Sequence, residues 1–234
     1  MEKTAARHSV FWAAFKYSIP VLLGYLAIGI GFGLLMADAG YPWWLTLVMS
    51  GVMFAGAGQY IAIGLFAAGT SLWETALVQL VVNARHIAYG FSMLNRFRNA
   101  GPFRYYLIFG MTDETFALLS SLPADENSGH GKFMLFVTAL DHGYWIAGSL
   151  IGAVAGSLFP FDTEGIGFAL TALFVVLMIE QILKVRRPGI FIVSAITAVL
   201  GVFFLSSRIS LLTALVLALV LSSFMGNTDR RIRQ

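Results

Sequence analysis

Gln79, Asn83, His86 and Gly90 are separated by 4, 3 and 4 residues in a stretch that is otherwise strongly apolar. On a helix that spacing places them on one face. Polar side chains are costly in hydrocarbon, so a one-sided stripe of this kind faces a bundle interior or a watery cavity. Two readings are open. The stripe lines a solute path, with the His86 imidazole available as a proton carrier, or it forms a packed hydrogen-bond network between helices.

Three further groups have residue types that could do chemistry. Asp113 and Glu114 are adjacent carboxylates in the middle of a short apolar segment. Adjacent helical residues point about 100° apart, so they are not a matched acid pair. A helix break at Gly110-Met111-Thr112-Asp113-Glu114 explains them better. Half-helix ends expose backbone N–H and C=O groups that can grip a zwitterion or an ion. Glu114 would accept an ammonium group or carry a proton, while Asp113 would cap the helix starting at Glu114. Gly56, Gly58 and Gln59 form a second candidate break, in which glycine permits unwound backbone and Gln59 supplies a donor and an acceptor without charge; the alternative is close helix packing on small residues. Asp141 and His142 head a polar patch that fits a proton relay or an ion pair.

Other polar groups read as structural. Arg85 lies off the stripe and is expected to pair with a carboxylate or to snorkel. Glu180 precedes Lys184 by four residues, a favourable helical ion-pair spacing. Ser50 stands alone, with no Gly-x-Ser-x-Gly elbow, no His-Glu-x-x-His zinc pattern and no phosphate-binding glycine loop anywhere in the chain. No metal, cofactor or nucleic-acid partner is expected.

The elements that must position these groups follow from composition. Of 234 residues, 58% are hydrophobic and 12% charged, against about 25% charged in a soluble domain. So few charges cannot cover a water-facing surface. There is no cysteine, which excludes disulfides and thiolate chemistry. Crossing a bilayer takes about 20 apolar residues. Eight apolar segments are visible: 17–36, 43–69, 72–94, 105–121, 133–158, 166–183, 189–206 and 209–225. Their unbroken apolarity rules out the alternation of a membrane barrel. The expected fold is an all-α integral membrane protein, a polytopic bundle of about eight hydrophobic segments, two of them broken or re-entrant. Residues 1–16 form an interfacial N-terminal segment, 17–226 one transmembrane domain, and 227–234 a disordered basic tail.

Basic clusters should lie on the cytoplasmic side. Eight plain spans from a cytoplasmic N-terminus put Arg96, Arg98 and Arg104 on the wrong side. If segments two and four are broken pairs that return to the side they entered, the arginine loop moves inside, and both termini remain cytoplasmic. A weak internal echo supports this. Gln59 precedes His86 by 27 residues, and Glu114 precedes His142 by 28, with an aromatic residue following each polar cluster. Two such units of opposite starting side would be inverted repeats, a common way to build a site at the membrane midplane.

Several stretches resemble the AzlC family: Leu23-Gly24-Tyr25 through Gly29-x-Gly31-Phe32-Gly33, then Met53-Phe54-Ala55-Gly56-Ala57-Gly58-Gln59-Tyr60, then Val82-Asn83-Ala84-Arg85-His86-x-x-Tyr89-Gly90, Thr112-Asp113-Glu114-Thr115-Phe116-Ala117-Leu118 and Trp145-x-x-Gly148-x-x-x-Gly152. The likeness runs over most of Phe15 to Leu183. The sequence departs from the family at Ala27, where proline is frequent, and at Asp141-His142, where neutral residues are common. The resemblance implies the large subunit of a two-component permease of the cytoplasmic (inner) membrane, exporting branched-chain amino acids such as valine with a small hydrophobic AzlD-like membrane subunit. On that expectation Gln59 and the broken backbone hold the α-amino and carboxylate groups, an apolar wall takes the side chain, and Glu114 or His86 carries a coupling proton. A passive channel and, less favoured, an intramembrane enzyme are the rival classes.

Overall fold

A computed structural model describes residues 2–122 and 129–159, with helical positions at 175, 178–179, 191–193, 195–196 and 199–200. The last three apolar segments fall largely outside the described residues. So do Asp125, Glu126, Asp162, Glu164, the Glu180–Lys184 pair and the basic tail. The chain divides into two compact units, Met1–Gly167 and Phe168–Gln234; everything below concerns the first.

The described residues contain helices and no strand. Helix α1 spans Glu2–Asp38, α2 Trp43–Val52, α3 Gly56–Ala67, α4 Leu72–Met93, α5 Arg104–Phe109, α6 Asp113–Ser121 and α7 Gly129–Leu158, with a short 3-10 helix at Arg98–Phe103. Two of them, over Val10–Asp38 and Gly131–Leu158, are long and apolar enough to cross a membrane, with mean hydropathy 2.1 and 1.2. At 1.5 Å per residue, α2, α3, α5 and α6 are each shorter than about 20 Å, far below the roughly 30 Å of a hydrocarbon core. Both expected breaks are therefore present, between α2 and α3 and between α5 and α6. The chain repeats one order of elements: a pair of short helices and then a long one, α2-α3-α4 and α5-α6-α7.

Local chemistry explains the boundaries. Gly40 (φ 78°) and Gly69 (φ 61°) take the left-handed conformation that ends α1 and α3, where a side chain would be strained. Pro42 precedes α2, and Ser71 opens α4 with a reciprocal box: its hydroxyl accepts from the Glu74 N–H while the Glu74 carboxylate accepts from the Ser71 N–H at 3.0 Å. At α6 the cap is Thr112, whose side chain accepts from the Thr115 N–H. Asp113 is thus the first helical residue and not the cap expected from sequence. A β-extended Thr112 places its own oxygen over the helix start and frees the Asp113 carboxylate to point elsewhere.

The long helices α1 and α7 lie against each other backbone to backbone. A Cβ added at Gly33 would strike the backbone of Ser149, Gly152 and Ala153, and one at Gly152 would strike Ile30. Small residues at such crossings are how membrane helices gain close van der Waals contact. A buried apolar cluster of Ala14, Met93, Phe97, Leu107, Met111, Leu119, Met134 and Val137 ties α1, α4, α5, α6 and α7 together. Trp73, Leu77, Leu80, Ile87 and Phe91 are exposed along α4. Their spacing of 4, 3, 7 and 4 keeps them on one apolar stripe, about a quarter-turn around the helix from the Gln79–Asn83–His86–Gly90 stripe.

Candidate functional site

The first break is Met53-Phe54-Ala55, three residues upstream of the glycines that the sequence reading placed in it. Gly56 already opens α3, and the Gly58 and Gln59 N–H groups both donate to the Ala55 carbonyl, at 2.6 and 3.3 Å. The reason for Gly58 is packing. A Cβ there would sit 2.8 Å from Gln79 Oε1 and 2.9 Å from Asn83 Nδ2. Glycine lets α4 bring those two amides onto the start of α3. Gln79 Nε2 donates to the Gly58 carbonyl at 2.8 Å, and Asn83 Nδ2 donates to Gln79 Oε1 at 2.9 Å. The polar stripe of α4 is thus bonded to the first break. Gln59 is wholly buried and reaches Ser50 Oγ through Nε2 at 3.5 Å. Among the described residues, its Oε1 and the Oδ1 of Asn83 are buried acceptors with no donor. Buried acceptors left without donors are costly, at about 1–3 kcal/mol each, and are competent to receive an N–H from a guest molecule.

The second break presents a different chemistry. Tyr25 on α1 places its hydroxyl 2.7 Å from Glu114 Oε2 and 2.6 Å from Thr112 Oγ1. Thr112 Oγ1 is 3.0 Å from Thr115 Oγ1, which donates to Asp141 Oδ2 on α7 at 2.9 Å. Tyr25 is held by edge-on contacts with Phe54 and Trp145. Asp141 has no solvent exposure. Asp113 turns the other way and pairs with Arg85 of α4, Oδ2 to Nη1 at 2.7 Å. The adjacent carboxylates therefore serve two different neighbours, as their helical spacing requires.

His142 stands between the two breaks. Its Nε2 donates to the Ser50 carbonyl at the end of α2 at 3.1 Å, its Nδ1 is 3.0 Å from the Tyr106 hydroxyl on α5, and Phe54 stacks on its ring at 4.5 Å. It satisfies a carbonyl that the end of α2 leaves without an intrahelical partner.

Of the residues singled out from sequence, Gly58, Gln59 and Asn83 meet at the first break, with Gly56 at the head of α3. Glu114 and Asp141 meet through hydroxyls at the second, and His142 touches both halves. Arg85 and Asp113 join α4 to α6. His86 is half-buried, with its ring tilted against Tyr89 at 6.1 Å, and is joined to neither group. Tyr25, Thr112, Thr115, Ser50 and Tyr106 were missed as site residues. Tyr25, Thr112 and Thr115 lie in stretches quoted for the family resemblance, but their partners are fixed only by tertiary packing.

These elements coincide with residues 20–159, the portion of the chain that matches the model of the AzlC protein family. The chain belongs to the AzlC family. A relative from Bacillus subtilis (strain 168), the branched-chain amino acid transport protein AzlC, is 40% identical over 80% of this chain and 74% of its own length. A Helicobacter pylori (strain ATCC 700392 / 26695) relative, described as an uncharacterized membrane protein, is 41% identical over 88% of this chain and 91% of its own. The Escherichia coli (strain K12) inner membrane protein YgaZ is 28% identical over 89% and 87%. No solved structure matches the chain. The described residues are helical, with two helices long and apolar enough to cross a bilayer, and the relatives are membrane proteins, which together make this AzlC-family chain a helical membrane protein.

Proposed function

We propose that this AzlC-family protein moves branched-chain amino acids out of the cytoplasm across the inner membrane, coupled to protons and assembled with a small hydrophobic membrane subunit. The substrate class rests on the Bacillus subtilis relative, a branched-chain amino acid transport protein. The observation that carries the reading is the pair of broken helices, with buried amide acceptors of Gln59 and Asn83 at one and the Glu114–Asp141 group at the other. Unpaired amide oxygens suit the ammonium of a zwitterion. Ionisable groups inside a membrane bundle suit a proton path. Transport rather than catalysis is favoured because Ser50, the serine weighed as a nucleophile, has its hydroxyl against Gln59 and its carbonyl on His142, with no base paired to it among the described residues.

The two units α2-α3-α4 and α5-α6-α7 are read as inverted repeats, with both chain termini in the cytoplasm. Access would alternate as the short helices shift around the midplane. The test is counterflow in proteoliposomes loaded with valine, leucine, isoleucine, methionine and a charged control, with and without the small subunit. Saturable exchange of the aliphatic amino acids supports the reading. Non-saturating flux assigns a channel, and no exchange with the subunit present defeats the proposal.

A further inference from the structure

The second break contains more oxygen–oxygen contacts than its hydroxyl hydrogens can fill. The series Glu114, Tyr25, Thr112, Thr115, Asp141 has four contacts of 2.6 to 3.0 Å. Each of its three hydroxyls carries one hydrogen and can donate once. If Thr115 donates to Asp141, Thr112 must donate to Thr115 and Tyr25 to Thr112, and nothing remains for the contact between Tyr25 and Glu114. If Tyr25 donates to Glu114, the shortage moves to one of the other three contacts. With both carboxylates ionised, one of the four contacts is left without a hydrogen; a single carboxyl proton at either end supplies it.

We propose that Glu114 and Asp141 are a single protonation site, holding one proton between them and exchanging it through the hydroxyls of Tyr25, Thr112 and Thr115. The exchange balances. A proton leaves Glu114 for the Tyr25 oxygen as the Tyr25 hydrogen passes to Thr112, that of Thr112 to Thr115, and that of Thr115 to Asp141. The result is one proton moved from α6 to α7 and every hydroxyl reversed. No water or outside base is required.

The surroundings isolate the pair. The other charges acting on Glu114 are Asp113 and Arg85, which are engaged with each other. Asp141 is faced by the neutral phenols of Tyr106 and Tyr144, and the Tyr144 hydroxyl is bonded to Ser18. The neighbouring His142 is committed to Ser50 and Tyr106. Because the series links α1, α6 and α7, the position of the proton decides which way its hydrogen bonds point across three helices. Its use as a coupling device rests on the transport reading above.

The proton can be observed without transport. Infrared spectra of the purified full-length protein in lipid vesicles at neutral pH are compared for wild type, Glu114→Gln and Asp141→Asn, in water and D2O. The expected result is one protonated-carboxyl band, shifted in D2O, that is absent from both single variants. Either amide supplies the missing hydrogen and lets the remaining carboxyl ionise. Thr115→Val retains both acids and should move the band. No band in wild type, a band kept by one amide variant, or a band unchanged in Thr115→Val overturns the proposal. A protein that shows the shared band but fails counterflow retires the transport reading alone.

Discussion

His142 on α7 donates from Nε2 to the backbone carbonyl of Ser50, at 3.1 Å, and so closes the end of α2 from a different helix. Its other nitrogen meets Tyr106 on α5. One imidazole thereby bridges the short helices of the two repeated units. His142→Ala should orphan the buried carbonyl and lower stability by about 1–3 kcal/mol, read as a drop in Tm in detergent. His142→Gln restores a donor and should recover part of the loss. Equal Tm values for wild type and His142→Ala would show that the bridge contributes nothing.

Arg85 and Asp113 join α4 to α6 at a site where the two side chains are 31% and 24% exposed. Removing either partner leaves a charge in a largely dry setting. Arg85→Ala and Asp113→Ala should each destabilise, and the double variant should cost less than their sum, with a coupling of about 0.5–3 kcal/mol. Strict additivity in a double-mutant thermal-unfolding cycle would mean the pair is not coupled in the membrane-embedded protein.

Gly33 and Gly152 sit where α1 and α7 touch, whereas Gly24 and Gly143 have open space where a Cβ would go. Gly33→Val and Gly152→Val should abolish monodisperse protein on size-exclusion chromatography. Gly24→Ala and Gly143→Ala should be tolerated and gain up to about 1 kcal/mol from helix propensity. Similar behaviour of the two sets would refute the close crossing.

Gln59 offers its unpartnered oxygen at the first break. Losing a hydrogen bond to a charged group costs about 1.5–3 kcal/mol, so Gln59→Leu should raise the KM for amino-acid counterflow by roughly 10- to 100-fold. An unaltered KM would take Gln59 out of the solute site.

Glu114→Gln fixes a neutral donor where a proton would come and go. An imposed pH gradient should then no longer accelerate transport, whichever direction it is applied. Retained acceleration, measured in the same vesicles, would exclude Glu114 from coupling.

How far the sequence was legible depended on whether a signal was local. The break at Gly110 was readable because a glycine is followed by Thr112, a side chain able to cap, and then by two carboxylates. The break at Met53–Ala55 lies three residues from where the sequence points, because its cap, Ala55, has no capping side chain and the usual sign of unwound backbone is carried by the glycines just inside the helix. Those glycines answer a requirement from α4, and Gln79 and Asn83 were visible only as a stripe. Tyr25 gave no local sign of its role. Its partners Thr112 and Glu114 lie 87 and 89 residues away, brought close only when α1 packs beside α6. The polar stripe of α4 was correctly periodic, yet His86 belongs to neither group, because sharing a helical face does not require sharing a neighbour.

The glycine notches between α1 and α7 bear on motion as well as packing. With backbone seated in backbone, neither helix can slide or twist without first lifting its neighbour out of register, so the two behave as one rigid spar. Whatever conformational cycle this protein performs must leave that spar intact and swing the half-length helices about it.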